Sequence, residues 1–136
     1  MKPVFFYGLF MDQQLLVANG LHPKNPFNAS APNYQLIIGE RATLIPSAEE
    51  TAYGVVMELD EGELLKLYGE ASVKDYEPVT IEVINESQQK LLVDTYLLPE
   101  SKLAGSNPKY AALLVEKLEK RSFPSSYIDK VKAFIK

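Results

Sequence analysis

Along the 136 residues, apolar and polar positions change period several times, and each change marks an element. Val4 to Tyr7 is apolar and aromatic without interruption, the pattern of a short strand buried on both faces, and Gly8 closes it. Asp12 is a good helix N-cap, with Met11 before it and Leu16 placed to form a hydrophobic staple; Gly20 is placed to end that helix. Residues 8 to 11 therefore form a tight strand-to-helix loop. Tyr34 to Gly39, Ala42 to Ile45 and Ala52 to Leu59 read as three strands, with Pro46 and Ser47 punctuating the gap between the last two.

A second helix is signed at both ends. Asp60 as N-cap, Glu63 three residues on and Leu59 against Leu64 give a capping-box and staple pattern, and Gly69 follows the last turn. Val79, Ile81 and Val83 alternate with Thr80 and Glu82, and Leu91 to Leu98 follows a polar turn around Asn85 to Gln89, so these two strands are expected to pair. From Pro108 onward Leu113, Leu114 and Leu118 recur at helical spacing. After a break at Pro124, Ile128, Val131, Phe134 and Ile135 repeat the pattern. About six strands with helices at the front, middle and end predict an α+β fold whose mixed or antiparallel sheet curls on itself, not a doubly wound parallel sheet.

Composition narrows the chemistry. The length and the absence of repeats or linkers predict a single domain over 1–136. Fourteen Lys and Arg against eighteen Asp and Glu give a net charge of −4. The C-terminal cations Lys117, Lys120, Arg121, Lys130, Lys132 and Lys136 are interleaved with Glu116, Glu119 and Asp129, a solvated helical face and not a phosphate-binding stripe, so no nucleic-acid partner is expected. The run from Met1 to Gly8 is too short for a signal-peptide core or a membrane span, and no longer one follows. A cytoplasmic location without membrane association is the expectation.

There is no cysteine, which removes disulfides, thiolate metal ligands and a cysteine nucleophile. The sole histidine, His22, lies between Leu21 and Pro23 in a loop, far from forming a triad or a metal site alone. The seven glycines match neither a phosphate loop nor a dinucleotide fingerprint. No metal and no cofactor are expected.

Carboxylates and backbone amides remain. Asp60, Glu61 and Glu63 are accounted for by capping and by the helix N-terminal dipole. Glu70 is not: it follows Gly69 at the negative end of the Asp60 to Tyr68 helix, where a carboxylate is disfavoured and its pKa is expected to rise. A solvent-exposed loop glutamate is the alternative reading of that residue.

Two segments together carry a family resemblance. Phe5-Phe6-Tyr7-Gly8-Leu9-Phe10-Met11-Asp12, and then Tyr53-Gly54-Val55-Val56-Met57-Glu58-Leu59-Asp60 followed by Leu64 to Leu67, Glu70 and Tyr76, resemble the γ-glutamylcyclotransferase-like family. Its pattern is an apolar strand ending in Tyr-Gly, then a Gly-x-Val/Leu strand, a short helix, a catalytic glutamate and a tyrosine beyond it. Asn107-Pro108-Lys109-Tyr110 through Phe123-Pro124-Ser125-Ser126-Tyr127 is similar to the family's C-terminal helix and Pro-x-x-Tyr.

The resemblance implies a small closed β-barrel surrounded by helices. It implies cofactor-free, intramolecular cyclisation of a γ-glutamyl amine or amino acid to 5-oxoproline, with Glu70 carrying the proton. Tyr7, Gly8, Leu9, Phe10 and Tyr76 would line the site for a small-molecule γ-glutamyl substrate, the backbone amides of residues 7 to 10 gripping its α-carboxylate or the developing oxyanion. Leu9 and Phe10 stand where the family has a small polar Ser or Thr and then Asn or Leu, Glu77 follows Tyr76 where relatives often carry a basic or neutral residue, and Tyr68-Gly69-Glu70-Ala71 lacks the family's usual Asp and Glu-Gly neighbours. A binding module that keeps the pocket without efficient catalysis is therefore the alternative function, and an interaction protein using the terminal helices a third. The sequence assigns no oligomeric state.

Overall fold

The computed structural model describes residues 1–69 and 73–135. Five strands, β1 (Lys2–Phe6), β2 (Lys24–Ile38), β3 (Ala42–Leu59), β4 (Glu77–Asn85) and β5 (Lys90–Leu97), close into a barrel in the order β1-β3-β2-β4-β5. Neighbouring strands run antiparallel except β1 and β5, which are parallel where Val4 faces Asp94, so the barrel is mixed and closed. Around it lie α1 (Gln13–Ala18), α2 (Glu61–Tyr68), α3 (Pro108–Lys120) and α4 (Ser125–Lys132).

β1 is central because all its later residues are apolar: Val4, Phe5 and Phe6 are buried, as is Tyr7 just beyond. Its end is clamped from both sides. Thr95 Oγ1, fully buried, donates to the Phe5 carbonyl at 2.8 Å. On the other flank Gly54 approaches so closely that a Cβ there would lie 2.3 Å from the Phe6 carbonyl oxygen.

The six expected strands are five. Ala42–Ile45 and Ala52–Leu59 belong to one strand, and β2 begins at Lys24, ten residues before the expected start at Tyr34. The cause is a bulge. Pro32 pairs with Thr51 and Tyr34 with Pro46, so Asn33 alone faces residues 47–50, and Asn33 (φ 66°) and Glu49 (φ 69°) take left-handed backbone. Pro26 and Pro32, which cannot donate to a ladder, sit at the two register shifts of β2. The distal half of this hairpin folds back over the barrel end, where Thr43 Oγ1 donates to the Leu98 carbonyl at 3.1 Å and accepts the Leu98 N–H at 3.0 Å.

β4 and β5 pair as expected, from Glu77↔Leu97 to Ile84↔Lys90. Ile81 and Val83 point inward, whereas Val79 is 38% exposed. Asp12 caps α1 by accepting the Gln14 N–H at 3.0 Å, and its other oxygen pairs with Lys117 of α3 at 2.7 Å. That side-chain bond, chiefly, holds the Asp12 carboxyl below its ordinary range. Asp60 caps α2 through the Glu63 N–H at 2.8 Å, but the Glu63 carboxylate does not close the box: it accepts the His22 N–H at 2.6 Å. Three cations of the tail expected to be solvated are also engaged, since Lys117 holds Asp12, Arg121 Nη1 donates to Asn28 at 2.9 Å and Lys130 pairs with Glu50. α3 and α4 bury Leu114, Leu118, Ile128 and Val131, while Tyr127 packs on Tyr53 of the barrel wall. No described helix is long and apolar enough to cross a membrane.

Candidate functional site

A cavity of about 310 Å3 opens at the barrel end where β1 finishes. One wall is the loop after β1, from Tyr7 to Phe10, and the opposite wall is built by Tyr68 at the end of α2 with Val73 and Tyr76. The tip of the β2–β3 hairpin brings Glu40, Arg41 and Ala42, while Phe5 and Phe6 of β1, Leu15 of α1, Tyr96 of β5 and Tyr110 of α3 complete the described lining.

The loop geometry follows from its residues. Gly8 carries no side chain where a Cβ would fall 2.2 Å from Tyr110 Oη. That close approach lets the Leu9 N–H donate to the same hydroxyl at 3.1 Å. The chain then turns, with the Met11 N–H donating to the Gly8 carbonyl at 3.0 Å. Among the described residues the N–H groups of Gly8 and Phe10 donate to no protein acceptor. Phe10 meets Tyr68 edge to face at 6.0 Å, and Tyr68 stacks on Tyr96 at 3.8 Å with planes 9° apart, which joins the two walls through aromatic rings.

Two of the phenols are committed to the scaffold. Tyr7 Oη donates to the Tyr96 carbonyl at 2.6 Å, and Tyr76 Oη donates to the Ala42 carbonyl. Burial pushes Tyr7 and Tyr68 well above the ordinary tyrosine value of 10, with neighbouring phenols adding to the effect. Burial likewise raises Tyr76, Tyr96 and Tyr110, so this wall stays uncharged at neutral pH. Arg41 is held by Asp75 at 3.1 Å, and Asp75 also takes Lys102 at 3.0 Å. These partners, Lys102 first, depress the Asp75 pKa. The hairpin tip itself is pinned where the Glu40 N–H donates to the Ala104 carbonyl at 2.8 Å.

Tyr7, Gly8, Leu9, Phe10 and Tyr76, singled out from the sequence, thus face one cavity although the loop and Tyr76 are more than sixty positions apart. Glu70 lies outside the described residues; Tyr68 and Val73, which bracket it in sequence, line the cavity. Tyr68, Tyr96, Tyr110 and Arg41 went unrecognised. Each reads as ordinary core or surface in its own element, and only the position of Tyr110 just inside α3, after the Asn107 cap, carried a signal, through the Asn-Pro-x-Tyr string. His22 is exposed and bonded to Glu63, away from the cavity, and no group of acidic or histidine residues among those described has metal-binding geometry.

Several solved structures share this fold. One named γ-glutamyl cyclotransferase superposes with a TM-score of 0.81 at 19% identity, covering 98% of this chain and 87% of that one. A yeast structure described as a γ-glutamyl cyclotransferase specific to glutathione gives 0.69 at 15% identity, with 98% and 95% covered. An AIG2-like protein from Mus musculus gives 0.59 at 16% identity, with 80% and 90% covered. A comparison with curated protein sequences gives no match. The family model described as "Gamma-glutamyl cyclotransferase, AIG2-like" matches residues 4–114, and the chain belongs to that family.

Proposed function

We propose that the protein is a γ-glutamyl cyclotransferase that converts a γ-glutamyl amine or amino acid to 5-oxoproline and the free amine. The observation that carries this reading is convergence: the loop Tyr7 to Phe10 and the residues flanking Glu70 meet on one cavity. In the reaction the substrate's own α-amine attacks its γ-carbonyl, a carbon–nitrogen bond forms, and the bond to the leaving nitrogen breaks. Nucleophile and electrophile share one molecule, so the enzyme's work is to hold a cyclising conformer, move protons from the attacking to the leaving nitrogen and stabilise an oxyanion.

Glu70 takes in turn the two protons that the α-nitrogen loses on going from ammonium to lactam N–H and delivers them to the leaving nitrogen, which departs as an ammonium, so the reaction balances without water or cofactor. The N–H groups of Gly8 and Phe10, which have no acceptor among the described residues, serve the oxyanion or the α-carboxylate, roles in which the side chains of the loop matter little. The raised phenol pKa values support the same division of labour: the tyrosines shape the cavity as neutral groups and leave proton transfer to a carboxylate. The apolar side chains of Leu9 and Phe10 favour the second reading, a pocket that binds γ-glutamyl compounds with little turnover.

The test is release of 5-oxoproline by purified protein over a panel of γ-glutamyl compounds. Release with equimolar free amine supports the enzyme. Binding without release from any member replaces it with the binding module.

A further inference from the structure

The geometry points to a leaving group that is an apolar amine without a carboxylate, an arylalkyl or branched alkyl amine, with Phe10 and Tyr68 as the residues that select it. This rests on the cyclotransferase reading and concerns the half of the substrate that departs.

Three observations converge. The first is charge. Among the described residues lining the cavity Arg41 is the one cation, and Asp75 already holds its guanidinium at 3.1 Å. Lys102, the next cation, is bound to the same carboxylate. The other charged residue among those described in the lining, Glu40, repels anions. The shared glutamyl head brings one carboxylate into this site. An amino-acid leaving group brings a second, for which the described lining offers no uncommitted cation, and a buried unpaired carboxylate is costly.

The second is hydrogen bonding. Tyr7 and Tyr76 spend their protons on the carbonyls of Tyr96 and Ala42, and the hydroxyls that keep theirs, Tyr110 among them because its Oη accepts the Leu9 N–H, are neutral donors that supply no counter-charge to a second carboxylate. The third is shape. Leu9, Phe10 and Tyr68 are half-buried and face the cavity, and the Phe10–Tyr68–Tyr96 series presents ring edges and faces onto which a further ring or branched alkyl group packs. A volume of about 310 Å3 sits at the small end of ligand pockets, enough for a γ-glutamyl group and one compact apolar substituent and too little for a peptide.

The test compares γ-glutamyl-phenethylamide with γ-glutamyl-phenylalanine, which differ by a single carboxylate. 5-Oxoproline release is measured for wild type, Phe10→Asn and the conservative Phe10→Leu, each first checked for native circular dichroism. The expected result is a kcat/KM for the amide roughly a hundredfold above that for the amino-acid derivative, since an unpaired buried charge costs a few kcal/mol. Phe10→Asn is expected to lower the amide value by about tenfold while Phe10→Leu keeps most of it. Equal rates on both compounds, or a preference for γ-glutamyl-phenylalanine, overturn the inference and leave cyclotransferase activity intact. If neither compound releases 5-oxoproline, calorimetry decides: tighter binding of the amide, weakened in Phe10→Asn, upholds the selectivity while the reaction itself fails, and equal or absent binding removes both.

Discussion

Gly8 shows how much of the site depends on one missing side chain. Its Cα approaches Tyr110 so closely that a Cβ would lie 2.2 Å from Oη, and the Leu9 N–H depends on that hydroxyl. Gly8→Ala is expected to push the Tyr110 ring aside, to cost about 0.5–1.5 kcal/mol in urea unfolding for the lost hydrogen bond, and to reduce turnover. In a Tyr110→Phe background the same substitution should cost less, because the clash and the bond are both gone; fully additive effects would show that the two residues are not coupled. This scale also marks the limit of the sequence. Tyr7, Gly8 and Tyr76 were legible as site residues through the family resemblance, in the Tyr-Gly that ends the first strand and in the tyrosine beyond Glu70. Tyr68, Tyr96 and Tyr110 were not, since a tyrosine on the apolar face of a helix or strand has the same pattern whether it fills a core or walls a cavity.

Elements were legible where caps and periodicity agreed. Asp12, Asp60 and Asn107 each cap the helix they precede. The long hairpin was hidden, because Pro26, Asn28, Pro32, Asn33 and Pro46 are poor strand formers that only the register shifts accommodate. The Glu63 carboxylate left its capping box for a partner 41 positions away, which local pattern cannot foresee. Asp12 works at this scale twice, capping α1 and tying it to α3 through Lys117. Asp12→Ala is expected to cost about 1–2 kcal/mol, the value of a cap with a modest addition for the ion pair, read as a lower urea midpoint. Its pKa is lowered in the fold, so the stabilisation is present above pH 3.8 and lost as pH falls through the folded value. The difference between wild type and Asp12→Ala should therefore shrink below that pH; a constant difference would argue against the pairing.

At the scale of the molecule, closure through the parallel β1–β5 contact leaves the barrel no open sheet edge, and the cavity sits at its end among neutral phenols. The curled mixed sheet was readable from the order of elements; closure came from the family resemblance. Tyr7 and Tyr68 have raised pKa values in the fold, so their protonated forms stabilise it below the unfolded value of 10, and this contribution is lost as pH climbs past it. The urea midpoint is expected to hold from about pH 7 to 9 and to fall steeply beyond about 10, with Tyr68→Phe flattening part of the decline. A midpoint unchanged through that range would mean the phenols ionise freely in the folded protein.

The central claim is that this cavity cyclises a γ-glutamyl group with Glu70 as proton carrier, and Glu70→Gln tests it most directly because the amide keeps the shape of the side chain and removes its proton transfer. 5-Oxoproline turnover and substrate affinity are measured for wild type and variant under the same conditions. The account predicts a turnover lowered by about 10²–10⁴-fold with affinity changed far less and folding preserved. An active wild type whose Glu70→Gln variant retains full turnover would contradict it, and the proton carrier would have to be another residue.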